Sequence, residues 1–217
     1  MASFTEENYL KAIYHLSDGE TVSTNDIAEA TQTRAASVTD MLKKLAEKEY
    51  INYKKYQGVS LTENGRKIAL GIIRKHRLWE VFLVDKLGFN WDQIHDLAEE
   101  LEHIKSLELT TRLDDFLGNP KFDPHGDPIP DKDGNLPVTT THKLSEVALN
   151  RPLIIMGVSE DSAAFLQHLN HLGLKLGLEI MVNDVSSFDN SLGLLLDGHI
   201  TIRISAAVAQ NIQVGLK

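Results

Sequence analysis

The sequence predicts a mainly α protein with a small β part. Apolar residues recur at three- and four-residue spacing through most of the first 118 positions, as in helices that bury one face. Short apolar runs between turn residues, near 50–61 and again beyond 145, read instead as strands. Five of the six prolines fall between Pro120 and Pro137, where no regular element can persist. These boundaries divide the 217 residues into domains at 1–65, 66–140 and 145–217.

In the first domain a helix runs from Glu6 to about Ser17 on Tyr9, Leu10, Ile13, Tyr14 and Leu16, and Asp18-Gly19-Glu20 ends it. Ser23 to Asp26 offers caps for a short helix reaching Ala30. A turn, Thr31 to Arg34, leads into a helix from Ala35 to Glu49 with a stripe of Val38, Met41, Leu42 and Leu45. Strand-like runs at Tyr50–Tyr53 and Val59–Leu61 flank Lys54 to Gly58. Helix, helix, turn, helix, hairpin is the order of a winged helix-turn-helix. The third helix would then enter a major groove, with Arg34, Ala36, Ser37, Thr39 and Asp40 able to meet base edges or phosphates. Lys43, Lys44, Lys54 and Lys55 are candidate phosphate contacts. The competing reading is a winged helix used for protein contact, its lysines an ordinary solvated face.

The second domain is helical from Thr62-Glu63-Asn64-Gly65 to about Leu87, breaks at Gly88-Phe89-Asn90, and resumes from Trp91-Asp92 to about Leu117. His76 and Glu80 stand four apart, and His95, Glu99, Glu102 and His103 follow one another at helical spacing. Each set falls on one stripe of a helix. Facing stripes would bring three imidazoles and three carboxylates to a shared point, which is metal-ligand chemistry. A hydrated acidic face is the alternative, but grouped carboxylates repel unless a cation neutralises them. Oxygen and imidazole donors suit Mn²⁺ or Fe²⁺, whereas intrinsic affinity favours Zn²⁺ or Cu²⁺, so geometry and metal availability must select.

The third domain reads as strands at Leu153–Val158, Glu179–Val182, Leu192–Leu196 and Ile200–Ile204, with a helix from Ser162 to Leu172. That pattern suits a small β-barrel carrying one helix.

Composition narrows the chemistry. With no cysteine, disulfides and thiolate-based zinc, haem and iron–sulfur sites are excluded. No run of about 18 apolar residues occurs, so no membrane span is expected. The N-terminus lacks signal-peptide grammar, and a cytoplasmic protein is the expectation. The formal charge of −9 is unevenly placed: residues 1–75 carry 11 basic against 10 acidic side chains, the remainder 11 against 21. The front therefore permits contact with phosphate, and the acidity lies where cations can be held. A di-iron carboxylate oxidase would need paired Glu-x-x-His motifs, and Glu99-x-x-Glu102-His103 has no second copy. No enzyme and no small organic substrate is expected; a winged-helix regulator sensing an organic ligand is the remaining rival.

The strings RKHRLWEVFLVDKLG and QIHDLAEELEH, behind such a head, resemble the metal-binding signature of the diphtheria toxin repressor and manganese transport regulator (DtxR/MntR) family. GNPKFDPHGDPIP resembles that family's loop after the dimerisation helices, and GLKLGLEIMV the FeoA-type, SH3-like domain of its longer members. The resemblance covers essentially the whole chain. It implies a homodimeric, metal-activated repressor, with Mn²⁺ first and Fe²⁺ second, on a palindromic double-stranded DNA operator. It further implies a principal site at Glu99, Glu102 and His103, with His76 nearby and a first-helix ligand at Asn8. A second site would use Glu80 with His95, or Glu80 with Asp123 and His125, completed by Glu160 or Asp161. Asn8 stands where manganese regulators commonly have Asp and iron regulators Met. Lys11 stands where some manganese regulators have a ligand Glu, Glu99 replaces the Cys of iron regulators, and Asp123 a Cys of some longer members.

Overall fold

The computed structural model describes residues 2–17, 20–54 and 57–216, which form two compact units. One combines the chain up to His76 with Glu99–Thr110 and Pro130–Leu136; the other combines Arg77–Ala98, Thr111–Ile129 and the chain from Pro137 onward.

The first unit opens with α1 (Phe4–Leu16), which starts earlier than its apolar stripe because Ser3 and Glu6 form a capping box. A second such box, Ser23 with Asp26, starts α2 (Thr24–Ala30). Then α3 (Ala35–Glu47) buries Val38, Leu42 and Leu45. Strands β1 (Ile51–Lys54) and β2 (Gly58–Leu61) pair antiparallel, Ile51 opposite Leu61. Tyr9, Leu10, Ile13, Ile27, Leu42 and Val59 meet in one core, giving the winged helix-turn-helix order. Glu6 is fully buried, yet Lys48 at 2.7 Å and Lys44 at 3.6 Å tie it to the end of α3. The expected helix end at Asp18-Gly19 and the wing residue Lys55 lie outside the described residues.

Helix α4 (Glu63–Asp85) begins against the hairpin. A Cβ on Gly65 would lie 1.9 Å from the Tyr50 carbonyl oxygen, so only glycine admits this approach. The single helix expected from Trp91 to Leu117 is instead two, α5 (His95–Leu101) and α6 (Leu107–Phe116). Ser106 explains the break: its hydroxyl accepts the Leu109 N–H at 3.2 Å and caps a new helix. Apolar spacing runs through both helices and conceals the interruption.

The proline-rich segment carries no helix or strand, but it is not extended. Asp123 Oδ1 accepts the amides of His125 and Asp127 at 2.8 and 2.9 Å, and Asp131 does the same for Asp133 and Asn135. Each aspartate closes a turn with its own side chain.

In the second unit Leu78, Val81, Leu113 and Ile129 form one small core, and Leu83, Ile94 and Ala98 another. Its sheet has the order β3 (His142–Lys143), β8 (Ile212–Leu216), β4 (Pro152–Val158), β5 (Glu179–Val185), β6 (Leu192–Leu196), β7 (Ile200–Ile204), every neighbouring pair antiparallel. Two helices accompany it among the described residues, α7 (Ala163–His171) and the short α8 (Ala206–Gln210), where one was expected. Strand β8 was unanticipated although Ile212, Val214 and Leu216 alternate; it pairs with both β3 and β4, and so sits inside the sheet.

Candidate metal centre and nucleic-acid face

Three donors converge within the second unit. Glu80 on α4 is buried, as are Asp123 and His125 on the loop after α6, and one ligand atom from each lies within 4.8 Å of the others. His125 Nδ1 stands 3.6 Å from Glu80 Oε1. Its other nitrogen, Nε2, is 2.9 Å from the Trp91 carbonyl oxygen, which can only accept. That carbonyl puts the proton on Nε2 and leaves the Nδ1 lone pair facing Glu80, the tautomer a metal ligand needs.

The loop is fixed on two sides. Gly126 has φ +90°, and a Cβ there would lie 2.2 Å from the Met156 carbonyl oxygen on β4. The Val158 amide donates to the His125 carbonyl at 2.9 Å. Trp91 stacks on the His125 ring, centroids 6.0 Å apart, and its indole N–H donates to Asn170 at 2.8 Å. A cavity of about 450 Å³ lies beside the loop, lined by Trp91, Phe122, Asp123 and Lys175 among others.

Burial pushes the Asp123 carboxyl well above the usual range, and the charges of Glu80 and Asp127 add to the rise. Arg77 opposes them: its Nε lies 3.4 Å from Asp123, and its guanidinium also holds Asp127 at 2.9 Å and the Pro128 carbonyl. Crowded carboxylates and an imidazole with its lone pair inward are chemically suited to a divalent cation with oxygen and nitrogen preference. Glu80 also lies within 4.8 Å of a ring nitrogen of His95, which is half-exposed with Asp161 at 3.9 Å. Glu160 is exposed, and its carboxylate accepts the Ser162 amide before α7.

The remaining expected ligands gather in the first unit as an ion-pair network. His76 Nδ1 is 2.6 Å from Glu102 Oε2, and Glu102 is almost wholly buried. Lys11 Nζ lies 2.7 and 2.9 Å from the two Glu102 oxygens and 3.2 Å from Glu99 Oε1. His103 Nδ1 meets Glu7 at 2.8 Å and its Nε2 approaches Glu102 at 3.5 Å. Asn8 Oδ1 is buried without a hydrogen-bond partner. Burial alone would raise the Glu102 carboxyl, but His76 and Lys11 together hold it below the ordinary range. Glu7, Arg77 and Trp91 escaped sequence reasoning; only the Glu7–Lys11 spacing of four on α1 gave any hint.

On the head, Arg34, Ala36, Ser37, Asp40, Lys43, Lys44 and Lys54 are exposed. Thr39 is half-buried and its hydroxyl bonds back to the Ala35 carbonyl at 2.9 Å; Lys43 pairs with Asp40 at 3.1 Å. The N-terminus of α3 has no side-chain cap, which leaves its amides open to an anion.

A winged helix-turn-helix joined to helices that bury imidazoles and carboxylates defines a class, the metal-responsive DNA-reading proteins. Residues 1–59 match the iron-dependent repressor N-terminal DNA-binding domain, 62–131 the iron-dependent repressor metal-binding and dimerisation domain, and 142–216 the FeoA domain. The iron-dependent repressor IdeR of Mycobacterium tuberculosis (strain ATCC 25618 / H37Rv) is 35% identical over 127 residues, 58% of this chain and 55% of that protein. The chain thus spans about half the length of that relative. The HTH-type transcriptional regulator MntR of Oceanobacillus iheyensis is 36% identical over 118 residues, 54% of this chain and 80% of that protein. A solved manganese-dependent transcriptional repressor in complex with manganese superposes with a TM-score of 0.86 at 33% identity, over 98% of this chain and 100% of that one. The chain belongs to the DtxR/MntR family of metal-dependent transcriptional repressors, in the form that carries an SH3-like FeoA domain.

Proposed function

We propose that this chain is a repressor that binds double-stranded DNA as a homodimer when it carries a divalent metal, Mn²⁺ first and Fe²⁺ second, and that it governs metal-uptake genes. The observation that carries the reading is the buried Glu80–Asp123–His125 group, a hard donor set without thiolate, beside a raised Asp123 carboxyl that a cation would relieve. The solved relative bound to manganese favours Mn²⁺, and the mycobacterial iron-dependent repressor keeps Fe²⁺ as the second reading.

A bound divalent ion supplies the positive charge that these two carboxylates lack. Trp91 and Val158 orient His125, Arg77 holds the loop through Asp127, and Gly126 lets the loop rest on β4. In the head, Arg34, Ala36, Ser37, Thr39 and Asp40 would read bases, and Lys43, Lys44 and Lys54 would grip phosphates. Lys55 would join them. Two-fold pairing would set the recognition helices about 34–36 Å apart, the spacing of successive major grooves. Moving the DNA-competent state from about 1% to 99% requires some 5.5 kcal/mol of differential metal binding. No helix among the described residues is long and apolar enough to cross a membrane, and a DNA-reading role supports a cytoplasmic location. Fluorescence anisotropy on operator DNA with Mn²⁺ and after chelation tests the reading. Metal should tighten binding many-fold; equal affinity would overturn it.

A further inference from the structure

We infer that Lys11 is a tethered counter-cation that occupies the Glu99–Glu102 carboxylate pair, so this cluster admits a divalent ion only once the ammonium is displaced. The inference rests on the metal-binding reading above, and assigns the metal response chiefly to Glu80, Asp123 and His125.

Three distances carry it. An ammonium has three donors, and Lys11 Nζ spends them on three carboxylate oxygens: 2.7 and 2.9 Å to Glu102, 3.2 Å to Glu99. Its side chain is only 15% exposed and that of Glu102 1%, so the pair is shielded from the solvent that weakens surface ion pairs. His76 and His103 claim further edges of the same carboxylate, at 2.6 and 3.5 Å. A divalent ion seeking Glu102 therefore meets both a like charge and oxygens already engaged. Asn8, one turn before Lys11 on α1, has a buried oxygen with no donor. That unsatisfied oxygen is what a neighbouring cation would use and an ammonium already saturated by carboxylates does not.

Lys11 is in this sense a specificity-determining residue. It neutralises the buried Glu102 and fastens α1 to the end of α5 without metal. A neutral side chain at position 11 would exchange this constitutive clasp for a metal-dependent one.

The test counts Mn²⁺ bound per chain, from the electron paramagnetic resonance of free Mn²⁺, on the full chain and on Lys11→Met and Lys11→Gln. Thermal melts with and without Mn²⁺ accompany the titrations. The unaltered chain should hold one tight ion. Each variant should hold two, the added site tightening by about tenfold or more, as expected when an adjacent like charge is removed. Metal-free, both variants should melt lower than the parent, and Mn²⁺ should restore them. Lys11→Gln keeps a donor to Glu102 and guards against failure of the apolar variant to fold. Two equally tight ions on the parent, or one ion on every protein, would overturn the inference while leaving the metal reading intact. Zero on the parent and one on the variants would support Lys11 and sink the assignment to Glu80, Asp123 and His125. No ion on any of them would overturn both.

Discussion

Replacing Asp123 by Asn should make the metal-free protein more stable and deprive it of its metal response. The two effects share one cause. Within 4.8 Å of Glu80, a charged Asp123 carries a repulsion of about 3.5 kcal/mol at an effective dielectric near 20. Burial and Asp127 add to that penalty, and the Arg77 contact at 3.4 Å offsets much of it. An amide keeps its oxygen as acceptor for the two backbone N–H donors that close the turn, and Arg77 retains Asp127 and the Pro128 carbonyl. A net gain of about 1–2 kcal/mol is expected, the scale of removing an uncompensated buried charge while its hydrogen bonds persist. For a chain of this size that is roughly 2–8 °C in Tm. The sign also fixes the pH dependence. The folded-state pKa is raised, so the penalty is full above that pKa and relieved as pH falls through it. Parent and Asp123→Asn should therefore converge on acidification and separate at neutral pH. With Mn²⁺ at about a hundred times its Kd, the parent should gain about 2.7 kcal/mol and the variant little, so the order of melting reverses. Paired melts at several pH values, with chelator and with Mn²⁺, read all of this. A variant that melts below the parent in chelator at neutral pH, or one that binds Mn²⁺ as tightly, would refute the reasoning.

Two further outcomes follow from the same geometry. Gly126→Ala combines a left-handed backbone with a Cβ 2.2 Å from the Met156 carbonyl, so the loop must leave β4. Destabilisation of about 2 kcal/mol or more and a weaker Mn²⁺ isotherm are expected, and an unchanged isotherm would detach the loop from the site. Lys54→Ala, exposed at the end of β1, should weaken DNA binding for every sequence alike and lower the salt slope by about one. A selective loss on one operator, measured by anisotropy across salt, would make Lys54 a base reader instead.

The difference between what the sequence disclosed and what it withheld follows the range of the interactions involved. Helical periodicity reports residues that share a face, so His76, Glu80, His95, Glu99, Glu102 and His103 stood out by spacing alone. Asp123 and His125 lie in a loop of prolines and glycines, where no period exists, and entered only through resemblance to a family. Their supports were beyond any local pattern. Trp91 reaches His125 across 34 residues and Arg77 reaches Asp127 across 50. Lys11 reaches Glu102 across 91. The same limit hides the lysine that meets the carboxylate stripe: Lys11 is carried on a different helix, far back in the chain. Ser3 and Ser23 start their helices through capping boxes with Glu6 and Asp26, and the Ser106 hydroxyl caps α6 after the break that separates it from α5. Spacing thus identifies groups able to take a cation, whereas the competition between a lysine and a metal for them is decided by contacts that only the fold brings together.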